Sequence, residues 1–113
     1  MYHNGVSVLD YNFNTGHSFY DAGRSWVIGN TQTSYFDGKI DEVAFWNDAL
    51  TANEVAAVFN SGNGLNVISN SGNYNSSTDL KAYYRFSENS GTIAYDLSGN
   101  GKHATISGAS WTA

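Results

Sequence analysis

The chain has 113 residues, a length that suits one small domain. Ten acidic residues against five basic ones give a formal charge of −5, which argues against nucleic-acid binding because phosphate contacts require clustered lysine and arginine. No apolar run approaches the ~18 residues of a membrane span, and the start MYHNGVSV does not resemble a signal peptide. Nucleic acid and membrane insertion are therefore not expected.

Cysteine and proline are both absent. The lack of cysteine excludes disulfides, thiolate metal sites and cysteine nucleophiles. Aromatic residues make up 15% of the chain and charged residues 13%, and clusters of Asn, Gly and Ser separate the aromatic and β-branched runs. This composition is typical of an all-β protein.

A strong hairpin signal opens the chain, where apolar residues flank Asn4-Gly5 and both turn positions tolerate a positive φ. Further along, runs of apolar and aromatic residues predict strands at residues 25–29, 35–46, 80–86, 92–95 and 102–107. The second of these runs does not keep a strict alternation, which favours a bulge at Gly38 or at Asp41-Glu42.

One segment predicts a short surface helix, near residues 51–60. Thr51 and Glu54 have the spacing of a capping box, and Gly62 is expected to end the helix. Its apolar face is formed by Val55, Val58 and Phe59.

Residues 63–79 form a tract rich in Asn, Ser and Gly, with a brief apolar interruption. This composition favours a linker or a mobile loop.

Two stretches resemble a known family. The run FDGKIDEVAFWNDALTANEVAAVFNSG, residues 36–62, resembles the closing strand and helix of laminin-G-like and pentraxin-like jelly rolls of the concanavalin A-like lectin/glucanase architecture. The run LKAYYRFSENSGTIAYDLSGNGKHATISGASW, residues 80–111, resembles the opening strands of the same domain. The chain would then carry the two portions in permuted order.

The resemblance implies one domain over residues 1–113: residues 1–62 correspond to the C-terminal half of a jelly roll, and residues 80–113 to its N-terminal strands. Three explanations of the order remain open: a window cut across tandem repeats, a shortened circular permutant, or a fragment completed by other copies. A tandem-derived segment folded in a permuted arrangement is favoured, because opening and closing strands are usually neighbours and a linker of ~15 residues spans them easily. The expected fold is a small all-β antiparallel sandwich whose open edges favour homo-oligomers.

Calcium is the first candidate ligand, since the family often holds structural Ca²⁺. Asp41 and Glu42 would supply carboxylates, and Asp96 and Asn100 would add oxygens from the DLSGNG turn. The alternative is a bulge whose acids bond loop amides, with Asp96 holding an Asx turn.

Carbohydrate is the second candidate ligand, because sugar binding requires an aromatic ring beside amides and carboxylates. The polar loop around residues 12–24 supplies these groups, and Trp26 follows it. For Trp26 and Trp46, burial in the core is favoured over ligand stacking. The candidate ligand-binding residues are Asn14, His17, Tyr20, Asp21 and Trp26.

Catalysis is not expected. The chain lacks the paired-carboxylate signature of some glucanases of this fold, and it contains neither H-E-x-x-H nor G-x-S-x-G. The expected function is a non-catalytic recognition module for carbohydrate or a surface polymer. The alternative is an assembly repeat of a large adhesin or virion appendage, acting through oligomer contacts. Either function implies an extracellular, cell-surface or virion-associated location within a larger protein.

Overall fold

A computed structural model describes residues 1–8, 25–30 and 33–112. The described residues form mostly short strands with one α-helix. The elements in chain order are β1 (Tyr2–His3), β2 (Val6–Ser7), β3 (Val43–Trp46), α1 (Ala52–Phe59), β4 (Leu80–Tyr84), β5 (Ile93–Ala94) and β6 (Ala104–Thr105). Single 3₁₀ turns cover Asn60–Gly62 and Ser77–Asp79.

The predicted N-terminal hairpin is confirmed. Strands β1 and β2 pair antiparallel, with Tyr2 opposite Ser7. Asn4 and Gly5 form the turn with φ values of 50° and 75°, the combination that a type I′ turn requires.

The centre of the molecule is the antiparallel ribbon of β3 and β4, in which Val43 pairs with Tyr84 and Phe45 with Ala82. The register then shifts, so that Trp46 pairs with Leu80. Lys81 is therefore the extra residue of a bulge, and its exposed side chain separates Leu80 and Ala82, which are buried on opposite faces of the ribbon.

One face of this ribbon is covered by α1 and by the segment that follows the helix. The buried residues on this face form one hydrophobic cluster, which consists of Val67, Tyr74, Leu80 and Tyr83. The Tyr74 hydroxyl donates to the Val67 carbonyl at 2.9 Å and accepts from Nε1 of Trp46 at 2.9 Å. The helix-side cluster, as we call these four residues, therefore has a tyrosine at its centre whose polar atom is satisfied.

The opposite face of the ribbon is covered by the antiparallel pair of β5 and β6, which confirms the strands predicted there. Ala82, Tyr84 and Ala94 are its buried residues. Because both faces are covered, the neighbours Tyr83 and Tyr84 are both buried, although neighbouring side chains of a strand point to opposite faces.

The segment 63–79 contributes to the core. Val67 is 2% exposed and Tyr74 is fully buried, which differs from the expected linker or mobile loop. The composition of this tract is that of a loop, but Val67 and Tyr74 pack against β4 and the helix.

The predicted capping box of α1 is confirmed. The Thr51 hydroxyl accepts the Glu54 N–H at 3.2 Å, and the Glu54 carboxylate accepts the Thr51 N–H at 2.9 Å. The helix ends earlier than expected, because Asn60 adopts a left-handed conformation with φ 46°. Asparagine tolerates this conformation almost as glycine does.

Two predicted strands are shorter or absent. No strand forms over 25–29, and an isolated bridge between Asn30 and Tyr35 follows that segment. The long strand expected over 35–46 is limited to β3, because Glu42 has a φ of 53° and interrupts the extended backbone. The described residues form three two-stranded sheets, so the continuous sandwich and the jelly-roll order stay predictions.

Candidate functional site

Glu42 occupies a left-handed backbone position immediately before β3. Its N–H donates to Oδ1 of Asp41 at 3.0 Å, which fixes the turn. Its carboxylate accepts hydrogen bonds from the Tyr83 hydroxyl and from Nε of Arg85, the latter at 3.0 Å. Burial, together with the hydrogen bond to Glu42, raises the pKa of Tyr83 above its ordinary value, so the phenol stays protonated and donates. The hydrogen bond to Glu42 likewise raises the pKa of Arg85.

This arrangement lies in an open cleft between the ribbon and the end of α1, which we call the Tyr83 cleft. Its main chamber has a volume of about 490 Å³, and a smaller chamber of about 180 Å³ adjoins it. Glu42, Tyr83 and Leu65 line both chambers, so the two lie side by side. Phe59 belongs to the main chamber and Arg85 to the smaller one.

The DLSGNG turn is built around a buried carboxylate. Oδ1 of Asp96 accepts the N–H groups of Tyr83 and Ser98 at 3.0 and 2.8 Å, and Oδ2 accepts the N–H of Lys102 at 2.9 Å. Burial alone would raise the pKa of Asp96, but the hydrogen bonds from Ser98, Lys102 and Tyr83 outweigh it and lower the pKa. The bond from Ser98 confirms the Asx turn that was one interpretation of Asp96.

The same turn covers the free edge of β4. Asn100 donates through Nδ2 to the carbonyls of Leu80 and Lys81, at 3.0 and 3.2 Å. The Leu97 N–H donates to the Tyr83 carbonyl at 2.8 Å. The backbone groups of β4 that point away from β3 are thus bonded to the turn.

The four residues considered for calcium form two separate pairs. Asp41 and Glu42 lie at the hydroxyl end of Tyr83, whereas Asp96 contacts its backbone nitrogen and Asn100 the carbonyls of β4. Within the described ranges, no group of three His, Asp or Glu side chains is placed to hold a metal ion. The carboxylate of Asp96 faces three N–H hydrogens, an environment that suits an anion rather than a cation's ligand.

Most of the residues considered for carbohydrate binding, namely Asn14, His17, Tyr20 and Asp21, lie outside the described residues. Trp26 is described, and the burial favoured for it is wrong: its side chain is 77% exposed. One edge contact positions it, against Phe45 of β3, with ring centroids 5.3 Å apart and planes at 70°. Trp46, by contrast, is partly buried against the helix-side cluster.

Sequence reasoning missed the Tyr83 cleft. No functional role was predicted for Arg85, which pairs with Glu42 across 43 positions of the chain. One indirect signal was available in the sequence. The resemblance makes the segments of β3 and β4 neighbouring strands, and this pairing places residue 42 near residue 85.

The chain was compared with known proteins. Residues 1–56 match the family model Laminin_G_3, described as concanavalin A-like lectin/glucanases superfamily. The match supports this superfamily for the N-terminal half of the chain. Neither a curated protein nor a solved structure matches the chain significantly. Among the described residues, no helix is long and apolar enough to cross a membrane.

Proposed function

We propose that the chain is a non-catalytic recognition module that binds carbohydrate or another surface polymer. The superfamily match over residues 1–56 is compatible with such a module. The observation that carries the proposal is Trp26, which is 77% exposed. An aromatic ring exposed to this degree leaves its apolar surface in contact with water. A sugar stacked on the ring would remove part of that surface from water, which is favourable.

Trp26 is suited to stacking because it is both exposed and positioned. The contact with Phe45 restricts the indole while leaving most of its surface exposed. Other polar groups precede Trp26 in the chain and would fix a sugar's orientation: the amide of Asn14, the imidazole of His17, the hydroxyl of Tyr20 and the carboxylate of Asp21.

Retention on immobilised polysaccharides tests this proposal. Trp26→Ala and Tyr20→Ala are expected to lose retention while the melting temperature stays unchanged. Tyr95→Ala is the matched control, because Tyr95 is also an exposed aromatic, 49% exposed, but lies against His103 at the β5–β6 side. Equal retention by Trp26→Ala and the parent chain would refute the role of Trp26. Retention lost equally in the Tyr95 variant would indicate non-specific adhesion.

The expectation of structural calcium is tested separately. A bound ion that contacts only the folded state raises the melting temperature by mass action. Chelator should then lower the melting temperature and calcium should restore it, and an unchanged melt over millimolar calcium would remove the metal from the proposal.

A second candidate function is assembly, as a repeat of an adhesin or virion appendage. It is favoured by the outer edge of β3. Since Tyr83 directs its N–H and C=O to the turn at residues 96–97, Ala44 opposite it directs its own away from β4. No hydrogen bond to these Ala44 groups is found among the described residues. A free edge of this kind accepts a strand from another copy.

Light scattering on a sizing column separates the two functions. A defined oligomer that Ala44→Pro converts to monomer would favour assembly through β3, because proline removes the outward-pointing N–H that a paired strand would use. A melting temperature of the variant equal to that of the parent chain checks that β3 tolerates the ring, which also fixes φ. A monomeric parent chain would reject it. Either function corresponds to an extracellular, cell-surface or virion location.

A further inference from the structure

Unused hydrogen-bond donors are concentrated in the smaller chamber of the Tyr83 cleft. Arg85 bonds Glu42 through Nε alone, which leaves both Nη groups without a partner among the described residues. Asn66 lines the same chamber. Its Oδ1 accepts the Ile68 N–H at 3.1 Å, so its Nδ2 remains as a donor.

The bond from Nε orients the guanidinium. With Nε fixed on Glu42, the two Nη groups of Arg85 form a fork whose spacing matches the two oxygens of a carboxylate. The Arg85 side chain is 45% exposed, so a ligand can reach it from solvent.

The main chamber offers a different environment. Its walls include Val58, Phe59, Leu65 and Val67, and its volume of about 490 Å³ lies within the range of small-molecule sites. The two adjoining chambers therefore place donors beside an apolar wall.

Charge limits the ligand further. Glu42 offsets the charge of Arg85, Asp41 adds a carboxylate to the main chamber, and the chain as a whole carries −5. These negative charges repel a ligand with several anionic groups more strongly than one with a single carboxylate, whose charge can lie at the Nη groups of Arg85 and away from Asp41.

We propose that the Tyr83 cleft binds a small monocarboxylate with an apolar body. The carboxylate accepts hydrogen bonds from the Nη groups of Arg85 and from Nδ2 of Asn66, and the apolar body lies against Phe59 and Leu65. This site is separate from Trp26 and does not depend on carbohydrate binding.

Titration with 3-phenylpropionate, followed by NMR and calorimetry, tests the proposal, with the uncharged 3-phenylpropanol as the matched probe. We expect saturable binding of the acid, shifts in the amides that line the cleft, and binding of the alcohol at least about tenfold weaker, as the loss of a charge-assisted hydrogen bond implies. Equal binding of both probes, or no saturable binding of the acid, would overturn the proposal.

Two variants test the residues. Asn66→Asp keeps the oxygen that accepts the Ile68 N–H but replaces the donor with a repelling carboxylate, and it should weaken the acid about tenfold or more. Asn73→Asp adds the same charge at an exposed turn outside the cleft and should leave binding unchanged. Equal losses in both would show that net charge alone acts, which rejects the site.

Arg85→Lys keeps the charge and removes the fork, and it should also lower the affinity for the acid about tenfold. Full affinity of this variant would contradict the role of the fork.

Discussion

Residues 25–40 and residues 65–96 contain similar aromatic and aliphatic side chains, but the two regions differ in what covers them. In the first region, Trp26 and Tyr35 are 77% and 81% exposed. In the second, Tyr74 is fully buried and Tyr83 is 1% exposed. The second region is covered by α1 on one face and by β5–β6 on the other. The difference shows that a hydrophobic run becomes core only where another element packs on it.

The largest expected effect that tests this comparison is at Tyr74. Tyr74→Ala leaves a cavity and removes the partners of Trp46 and Val67, so it should lower the free energy of unfolding by about 3–5 kcal/mol. Trp26→Ala should change it by less than about 0.5 kcal/mol. Denaturant unfolding measures both values. Similar losses would mean that Trp26 is packed in solution and that the contrast between the two regions does not hold.

The next largest effect is expected at the turn that covers β4. Asp96→Ala removes the acceptor of three backbone N–H groups and should cost about 2–3 kcal/mol. Asp37→Ala is the control: Asp37 is exposed, and its loss should stay within about 0.5 kcal/mol. If the two variants unfold at the same denaturant concentration, the buried turn is not a stabilising element.

Acid should weaken the helix-side region through Glu54. Hydrogen bonds from Ser76, Thr51 and Asn75 lower the pKa of Glu54 from its ordinary 4.5 to about 2. A carboxylate whose pKa is lower in the folded state stabilises it above its ordinary pKa, and that stability is lost as the pH falls toward about 2.

Thermal melts of the parent chain and of Glu54→Gln, from neutral pH down to about pH 2, measure this contribution. Below about pH 4.5, the melting temperature of the parent should fall further than that of the variant. Some acid sensitivity should persist in the variant, because the pKa of Asp96 is also lowered. Parallel curves would exclude Glu54 as the source.

The smallest expected effect is at the helix cap. Thr51→Ala removes the acceptor of the Glu54 N–H and should cost about 1 kcal/mol. Thr51→Ser keeps the hydroxyl and should stay close to the parent chain. An alanine variant as stable as the serine variant would mean that the capping box contributes nothing measurable.

The sequence was sufficient for features determined by neighbouring residues. The Asn4-Gly5 turn, the capping box of Thr51 and Glu54, and the Asx turn at Asp96 are all specified within a few positions. Each depends on the conformation or hydrogen bonding of a short segment. The residue types alone predict the first two, whereas at Asp96 the Asx turn was the alternative to a calcium ligand.

Features that depend on distant contacts were not predicted. The Glu54 carboxylate also accepts the hydroxyl of Ser76 and the N–H of Asn75 at 3.2 Å, which attaches the Asn/Ser/Gly tract to the helix. The pairing of Glu42 with Arg85, and with it the Tyr83 cleft, requires β3 and β4 to be adjacent first. Such contacts leave no local pattern, since composition reports average preferences and not partners.

The two edges of the central ribbon also imply an unusual pattern of amide hydrogen exchange. The Tyr83 amide hydrogen is held by the buried carboxylate of Asp96, so it should exchange as slowly as one in the interior of a larger sheet. The Ala44 amide, directly across the ribbon, has no such acceptor within residues 1–8, 25–30 and 33–112, and it should exchange quickly even though it belongs to a strand. Exchange rates at these two opposed residues therefore give a concentration-dependent readout: if copies pair along β3, only the Ala44 rate should slow as the protein is concentrated.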